Sequence, residues 1–371
     1  MTAAQLASVA GVAVTGMNAR ADNPGPGVAV ARCLREGRHF SGRIVGLGYD
    51  PLDPGVYLEQ FCDAGYLLPY PSAGDEAFLD RIAFIHDEQG FDLMIPTLDA
   101  ELPGLVRLAP KLADMGVRTF LPSATQLELR NKDRLGELAE HAGMIAPETK
   151  KVTQAGFFYR CQEEGWTYPL VVKGLFYDAQ VARDPDTAAA AFHRIAAQWG
   201  FPVLVQRFLR GEEVNLTALG DGEGNLLGPV MMRKLGLTDK GKAWAGVTVQ
   251  DDRLLEASQS LVAATRWRGP LEVEVMVDDE GRYQLIEINP RFPAWIYLAA
   301  GVGRNLPEAL VSLAFGQQPD KFIDVAPGTL FIRYAQETIV PLSEYESVVM
   351  RGVRRQPMPH ADGEDATGVQ P

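Results

Sequence analysis

Between residues 11 and 122, short apolar runs alternate with stretches of helical spacing. "GVAVTG" (11–16) is a brief apolar run closed by glycine, and "RIVGLGYD" (43–50), "FDLMIPT" (91–97) and "VRTFLP" (117–122) repeat that character. Between them lie "GVAVARCLREG" (27–37), with Val28, Ala31 and Leu34 at helical spacing and Gly37 as a stop, "AFLDRIAFIHDEQG" (77–90), with Phe78, Ile82 and Ile85 on one face, and "LVRLAPKLADMG" (105–116). Strand–helix–strand alternation with short loops predicts a parallel sheet with right-handed crossovers.

The pattern then changes. Residues 123–144 are helical throughout, with Ser123 placed to cap and Gly143 to stop. "YPLVVKG" (168–174) reads as a buried strand, and 186–200 as an alanine-rich amphipathic helix. Residues 201–234 read as successive strands turning at "GDGEGN", followed by a strand at 244–250, a helix at 253–267, a hairpin at 271–288 and two helical pieces within 295–316. The polar, Pro/Gly-rich end from 354 onward reads as a mobile tail.

The hairpin carries the chemistry. Leu271, Val273, Val275 and Val277 share one strand face and predict a core contact, which leaves Glu272, Glu274 and Met276 on the other. Past the turn "DDEG", Glu287 and Asn289 fall on one face or at the strand end, opposite the Glu274 region. Like charges about 4 Å apart cost roughly 4 kcal/mol at an effective dielectric near 20, so such a cluster calls for a cation. Carboxylate and amide oxygens suit Mg²⁺ shared with phosphates, and Arg291 is a fork donor for a phosphate. An exposed hairpin with solvated acids, paired to Arg282 or Arg291, is the competing reading.

Two lysines and a link extend the argument. Lys173 ends a buried apolar run, where its charge needs a partner such as phosphate. Lys132 lies in the helical stretch after "LRN", where an ordinary surface lysine is equally at home. Gln206, the link "RFLR", Gly211 and Glu213 form a hinge whose backbone reads an adenine edge and whose acid holds ribose, or else a bulged strand with surface acids. The loop "TGMNARADNPGPG" (15–27) lacks both a GxGxxG fingerprint and a P-loop lysine, and stands as a structural loop or a substrate or interface loop.

Composition narrows the class. With 371 residues, 46% of them hydrophobic, the chain can bury a large core, and its length suggests two or three domains. A net charge of −13 argues against nucleic-acid binding through a broad basic surface. Cys33, Cys62 and Cys161 are widely spaced and form no CxxC, so neither a disulfide framework nor a zinc site is expected, and a cytoplasmic setting is. No apolar run is long enough to span a membrane, and the N-terminus lacks the charged region of a signal peptide.

Taken together, "RNKDRL", "PLVVKG", "VQRFLRGEE" and "LEVEV…GRYQLIEINPR" resemble, in order and spacing, the ATP-grasp superfamily, and most closely the branch holding the carbamoyl-phosphate synthase large subunit and stand-alone carboxylate–amine ligases. The resemblance covers residues from about 10 to 320, and "PTLDAEL" (96–102) is common after the third strand in that family. It implies an α/β protein: a Rossmann-like pre-ATP-grasp domain with a parallel sheet over 1–122, a two-subdomain ATP-grasp fold over 123–205 and 206–320, and a C-terminal extension over 321–371. It further implies that Lys132 and Lys173 contact ATP phosphates, that Gln206, Phe208 and Leu209 line the adenine pocket, and that Glu213 holds ribose. Glu274, Glu287 and Asn289 would bind Mg²⁺, or Mn²⁺, and Arg291 would stabilise the transferring γ-phosphate. The implied reaction converts a carboxylate to an acyl phosphate that an amine then attacks.

The chain departs from the family in two places. The loop "KGLFYDAQVARD" (173–184) has one glycine where relatives are glycine-rich, and Gln206 stands where Glu is frequent. Substrates are expected to be small-molecule or peptide-like carboxylates and amines, gathered by Arg233, Lys240, Lys242, Trp244, Trp295 and Tyr297; a basic surface loop with helix-packing aromatics is the alternative. A homodimer is a family-level expectation. A carboxylase or kinase-type enzyme using a carboxy-phosphate, and a non-catalytic ATP-binding regulatory subunit, are the other functional readings. The sequence shows no glutaminase domain, second ATP-grasp half or biotin-carrier motif, so complete carbamoyl phosphate synthesis is not expected.

Overall fold

The computed structural model describes residues 9–131, 134–175, 178–239 and 241–354. The N-terminal part runs β1 (Gly11–Val14), α1 (Gly27–Arg35), β2 (Arg43–Gly48), β3 (Ala64–Leu67), α2 (Asp75–Gln89), β4 (Leu93–Ile95), α3 (Leu102–Asp114) and β5 (Arg118–Thr119). Its five strands are parallel in the order β3-β2-β1-β4-β5. Alternate residues serve opposite cores: Val12, Val14, Ile44 and Ile95 on one side, Ala13, Val45, Leu47 and Met94 on the other. Burial on both faces is what turns these strands into near-continuous apolar runs.

Four of the strands match the apolar runs of the sequence; β3 does not. Its "AGYL" is too short and small to register, and the connection before it holds a 3-10 turn at Pro54–Tyr57 in place of a helix. That turn lies so close to β3 that a Cβ on Gly65 would sit 2.1 Å from the Val56 carbonyl. The 15–27 loop folds back on itself through Gly25 N to Asn18 O (2.8 Å), and Met17 O accepts from Gly55 N.

Two helices follow, α4 (Ala124–Leu129) and α5 (Leu135–His141), where the sequence suggests one stretch. Ser123 caps α4 through a reciprocal bond pair with Gln126, and Gly143 takes a left-handed φ of +63° just beyond α5. Next come β6 (Thr149–Val152), α6 (Phe157–Arg160), β7 (Leu170–Lys173), β8 (Ala179–Ala182), α7 (Pro185–Trp199) and β9 (Val203–Arg207), whose strands form an antiparallel sheet β6-β9-β7-β8. The last layer contains β10 (Glu212–Asp221), β11 (Leu226–Leu237), β12 (Ala243–Val249), α8 (Asp252–Thr265), β13 (Arg268–Val277), β14 (Tyr283–Asn289), α9 (Tyr297–Gly301), α10 (Leu306–Ala314) and β15 (Leu330–Ile332). Its six strands are antiparallel in the order β14-β13-β10-β11-β12-β15.

Residues beyond β15 are more than a tail. After α11 (Leu342–Arg351), Gly352 O accepts from Leu67 N and Arg354 N donates to Gly65 O, which covers the open β3 edge of the first sheet. The expected mobile tail falls almost wholly outside the described residues. The first and last sheets are tied by Arg268, which donates to Leu121 O at 3.0 Å and lies over the Phe120 ring, and by Gln126 Nε2 on Arg266 O at 2.6 Å. Among the described residues, no helix is long and apolar enough to cross a membrane.

Candidate active site

One face of the six-stranded sheet collects the acids. Register places Asn215 of β10 beside Glu274 of β13, and Glu274 beside Glu287 of β14, with Glu272 beside Asn289. A shift in the β13–β14 ladder makes this possible: Val275 pairs with Leu285 while Glu274 pairs with Glu287. Without that extra residue, Leu285 and Glu287 would point the same way. With it, Leu285 is buried in the core and Glu287 turns to the acid face.

Glu272 is fully packed and bound by neutral donors alone: Asn215 Nδ2 (2.8 Å) and Trp295 Nε1 (2.7 Å) on Oε1, and Asn289 Nδ2 (3.0 Å) on Oε2. Burial, then the charge of Glu274, raises its pKa. Glu274 also accepts from Asn289 Nδ2 at 2.7 Å and lies 3.4 Å from the Lys234 ammonium, which makes a closer ion pair with Glu213. Burial would raise Glu274, but Lys234, Lys242 and Arg291 hold it down at about 2. Glu213 goes the other way, to about 7, because burial and the Glu274 charge outweigh Lys234. Glu274 is thus the acid held more firmly in its charged form, beside the Lys234 ammonium that it shares with Glu213.

This face suits a cation that phosphate helps to hold. Asn215 is fully buried, and its Oδ1 has no hydrogen-bond partner. That orphaned amide oxygen sits on the strand position paired with Glu274, which is itself paired with Glu287. Among the described residues no three His, Cys, Asp or Glu side chains converge into a cage. Mg²⁺ commonly takes one or two carboxylates and completes its shell with phosphate oxygens and water. Asn289 now shows its NH₂ to Glu272 and Glu274, and its Oδ1 to an Arg291 nitrogen at 3.2 Å.

The first sheet contributes the opposite wall. Asp99 follows β4 at the carboxyl edge, beside the β1/β4 reversal of strand order where open α/β sheets place ligand sites. Its Oδ2 accepts from Arg291 Nε at 2.6 Å and its Oδ1 from Arg130 at 3.0 Å. Burial opposes its charge, but Arg291 and Arg130 prevail and lower its pKa; the same contact raises that of Arg291. Arg333, one residue past β15, donates to Ala294 O at 2.8 Å, while its buried Nε has no partner. Among the described residues it forms no ion pair with an acid, and burial lowers its pKa.

The nucleotide side is sparer. Lys173, at the end of β7, reaches Gln206 Oε1 at 2.6 Å, and Gln206 Nε2 bonds Thr149 Oγ1 at 3.0 Å. Phe208 is exposed and Leu209 half-buried in the link after β9. The link ends at Gly211 (φ +147°), where a Cβ would meet Val277 O at 2.0 Å. Lys132 and Lys240 lie outside the described residues, as do Phe176 and Tyr177 of the glycine-poor loop.

The structure redistributes several of the predicted substrate residues. Arg233 is paired with exposed Glu212; its strand neighbour Lys234 faces the acids, as period-two alternation requires. Trp295 is 3% exposed and braces Glu272 from behind. Tyr297 turns toward α1, donating to Glu36 at 2.5 Å with Arg32 over its ring. These aromatics follow the helix-packing alternative. Trp244 is half-buried and takes Arg333 N on its carbonyl, and Lys242 lies close enough to lower both Glu274 and Asp99. Sequence reasoning missed Lys234, Asp99, Arg130, Asn215 and Arg333. All five needed the fold: strand parity puts Arg233 and Lys234 on opposite faces, and only the register with β10 chooses between them.

Parts of the chain are similar to known proteins. A family model described as ATP-grasp in the biosynthetic pathway with Ter operon matches residues 201–337. That segment, which holds the acid-bearing hairpin, is similar to ATP-grasp proteins. The carbamoyl phosphate synthase large chain of Clostridium acetobutylicum is 24% identical over 205 residues, which are 50% of this chain and 18% of that one. Pyruvate carboxylase of Aspergillus niger is 24% identical over 62% of this chain and 21% of its own length. The chain therefore spans about a fifth of the length of the curated relatives it matches. Among solved structures, the biotin carboxylase domain dimer of Hydrogenobacter thermophilus 2-oxoglutarate carboxylase, in complex with MgADP, ADP and bicarbonate, superposes with a TM-score of 0.66 at 14% identity, covering 87% of this chain and 73% of that one. The L-amino acid ligase of Bacillus licheniformis does so at 0.57 and 17% identity, covering 81% and 73%. At these identities the structural likeness speaks for the fold, including the expected α/β architecture.

Proposed function

We propose that this protein is an ATP- and Mg²⁺-dependent ligase that activates a carboxylate as an acyl phosphate and joins it to an amine. The observation that carries the reading is the Arg291–Asp99 pair set beside the acid face: it fixes a guanidinium where phosphate would meet a cation on Glu274, Glu287 and Asn289. Glu274, Glu287 and Asn289 would hold that cation, which would supply charge neutralisation to the phosphates when bound. The remaining work belongs to the chain. Lys173, held by Gln206, offers a positive charge to the phosphates, and the link from Phe208 to Gly211 borders the adenine position. Glu213 stands at the ribose side, and Arg291 faces the transferring phosphoryl group, stabilising charge that develops there. No covalent protein nucleophile is required.

Arg333 supports a carboxylate substrate in particular. Its guanidinium lies next to Ala294, three residues past Arg291, without an acid partner among the described residues. A half-buried cation without an acid partner is stabilised by an anionic ligand. Lys242 adds positive charge on the same side. The expected substrates are amino-acid or peptide-like carboxylates and amines, turned over by a homodimer. The described cysteines are buried free thiols, in keeping with a cytoplasmic setting.

The test is ADP release from the full chain against a panel of carboxylates with and without amines, bicarbonate included, with products read by mass spectrometry. ADP that depends on both a carboxylate and an amine, with an amide product, supports the ligase. ADP that depends on bicarbonate, with a carboxylated product, would replace it with a carboxylase. Tight ATP binding without turnover under every mixture would leave a regulatory nucleotide-binding subunit.

A further inference from the structure

Glu213 and Glu274 share a single ammonium. Lys234 ion-pairs with Glu213 and also reaches Glu274 Oε2 at 3.4 Å, with only 9% of its side chain exposed. The ladder explains how. Val214 pairs with Arg233, which sets Lys234 across from Glu213, and Asn215 pairs with Glu274, which sets that acid on the diagonal. The third acid, Glu272, is satisfied by Asn215, Asn289 and Trp295 and needs no cation. The fold has therefore delivered one flexible positive charge to the carboxylate that the proposed reaction assigns to Mg²⁺. An ammonium and a divalent ion compete for the same carboxylate because each repels the other at contact distance.

We propose that Lys234 is a built-in counter-cation, which covers Glu274 in the nucleotide-free protein and gives that carboxylate up to the divalent ion when ATP arrives. The inference rests on the ATP-site reading above. Two carboxylates and an amide offer too few oxygens to displace the ammonium unaided, whereas the phosphates bring both the missing ligands and the charge. Lys234 has a second anchor in Glu213, so it can release Glu274 without becoming an unpaired buried cation. Metal without nucleotide is thereby refused, and metal and ATP bind cooperatively.

The test uses the full chain and Mn²⁺ as probe, titrated by electron paramagnetic resonance with and without a non-hydrolysable ATP analogue. The wild type should bind Mn²⁺ weakly alone and tightly with the analogue. Lys234→Met should raise nucleotide-free Mn²⁺ affinity on the order of tenfold, within the usual range of coupling between sites, while Lys234→Arg stays like the wild type. If Lys234→Met does not fold by circular dichroism, the paired variant Lys234→Met/Glu213→Gln, which removes a cation and an acid together, takes its place with the same expectation. Unchanged nucleotide-free affinity in the folded variant, with analogue-dependent Mn²⁺ binding intact in the wild type, overturns the role of Lys234 alone. A wild type that binds no Mn²⁺ even with the analogue overturns the ATP-site reading and this inference with it.

Discussion

Arg291 Nε lies 2.6 Å from Asp99 Oδ2, although 192 positions separate them in the chain. The contact joins the carboxyl edge of the parallel sheet to the end of the acid-bearing hairpin, so the phosphate-facing guanidinium is positioned by another layer of the protein. Asp99→Asn removes the charge that holds both Arg291 and Arg130. Breaking a buried pair costs roughly 3–5 kcal/mol, so the melting temperature should fall. The value of kcat should fall more than the KM for ATP changes, because Arg291 is needed most as charge develops on the phosphoryl group. The pH dependence has a defined sign. Asp99 has a depressed pKa in the fold, so its stabilisation is present above the unfolded value of about 3.9 and lost as pH falls through the folded value. The variant should lose that part of the acid limb, and an unaltered acid limb in urea titrations would discount the pair.

Much of this arrangement could be read before the fold was known, and the remainder has identifiable causes. Period-two spacing was enough to place Leu271, Val273 and Val275 inward and Glu272 and Glu274 on the other face, because a strand admits only two directions. The parallel sheet followed from apolar runs that are buried on both sides. What escaped was long-range. Asp99 and Arg130 reach Arg291 through the packing of one layer on another, and Arg333 arrives by an edge strand of three residues, too short to leave a periodic signal. Lys234 was missed for a different reason: its neighbour Arg233 carries the same charge, and only the register distinguishes the two faces. Trp295 and Tyr297 misled because aromatic residues after a site motif serve packing as readily as binding.

Glu101 should give the fold a pH dependence of the opposite sign to that of Asp99. It is 3% exposed and accepts from Thr15 Oγ1 and Tyr49 OH, each at 2.6 Å, and from Leu98 N at 3.2 Å. Burial without a cation pushes its pKa up to about 7, against the pull of those donors. The folded state holds its proton longer than the unfolded state, so stability is greatest at low pH and declines as pH rises from about 4.3 through 7. The full effect is roughly 3 kcal/mol. Glu101→Gln should lose this decline, and the difference between variant and wild type in urea unfolding at pH 5 and pH 7.5 isolates it. Equal slopes for the two proteins would show that Glu101 does not titrate in that window.

Lys173 and Gln206 should separate charge from placement. Lys173→Met removes the positive charge offered to the phosphates and should lower kcat/KM for ATP by about 10²-fold or more, as other losses of electrostatic stabilisation do. Gln206→Ala keeps the lysine but removes the amide oxygen 2.6 Å from its ammonium. A hydrogen bond to a charged group is worth roughly 1.5–3 kcal/mol, so the KM for ATP should rise about tenfold or somewhat more with kcat little changed. A wild-type KM in Gln206→Ala would mean that the loop after β7, and not Gln206, aims the lysine.

Arg333 offers the clearest distinction between a ligand-binding and a structural arginine. A structural arginine in this position would be expected to stabilise the fold, and its removal to lower the melting temperature. Arg333 instead has an unpartnered buried Nε, a side-chain bond to Ala294 O and the Phe331 ring 5.3 Å away, so the fold bears part of its desolvation without a compensating acid. Arg333→Gln should therefore leave thermal stability unchanged or raised, while the KM for the carboxylate substrate rises about 10- to 100-fold and the KM for ATP stays within a factor of two or so. Arg333→Lys should recover little, because an ammonium cannot reproduce bidentate contact with a carboxylate. Steady-state kinetics with the best substrate from the panel, set beside melting curves of the same preparations, decides the matter: a loss of stability with an unchanged carboxylate KM would return Arg333 to a structural role and leave the carboxylate to Lys242.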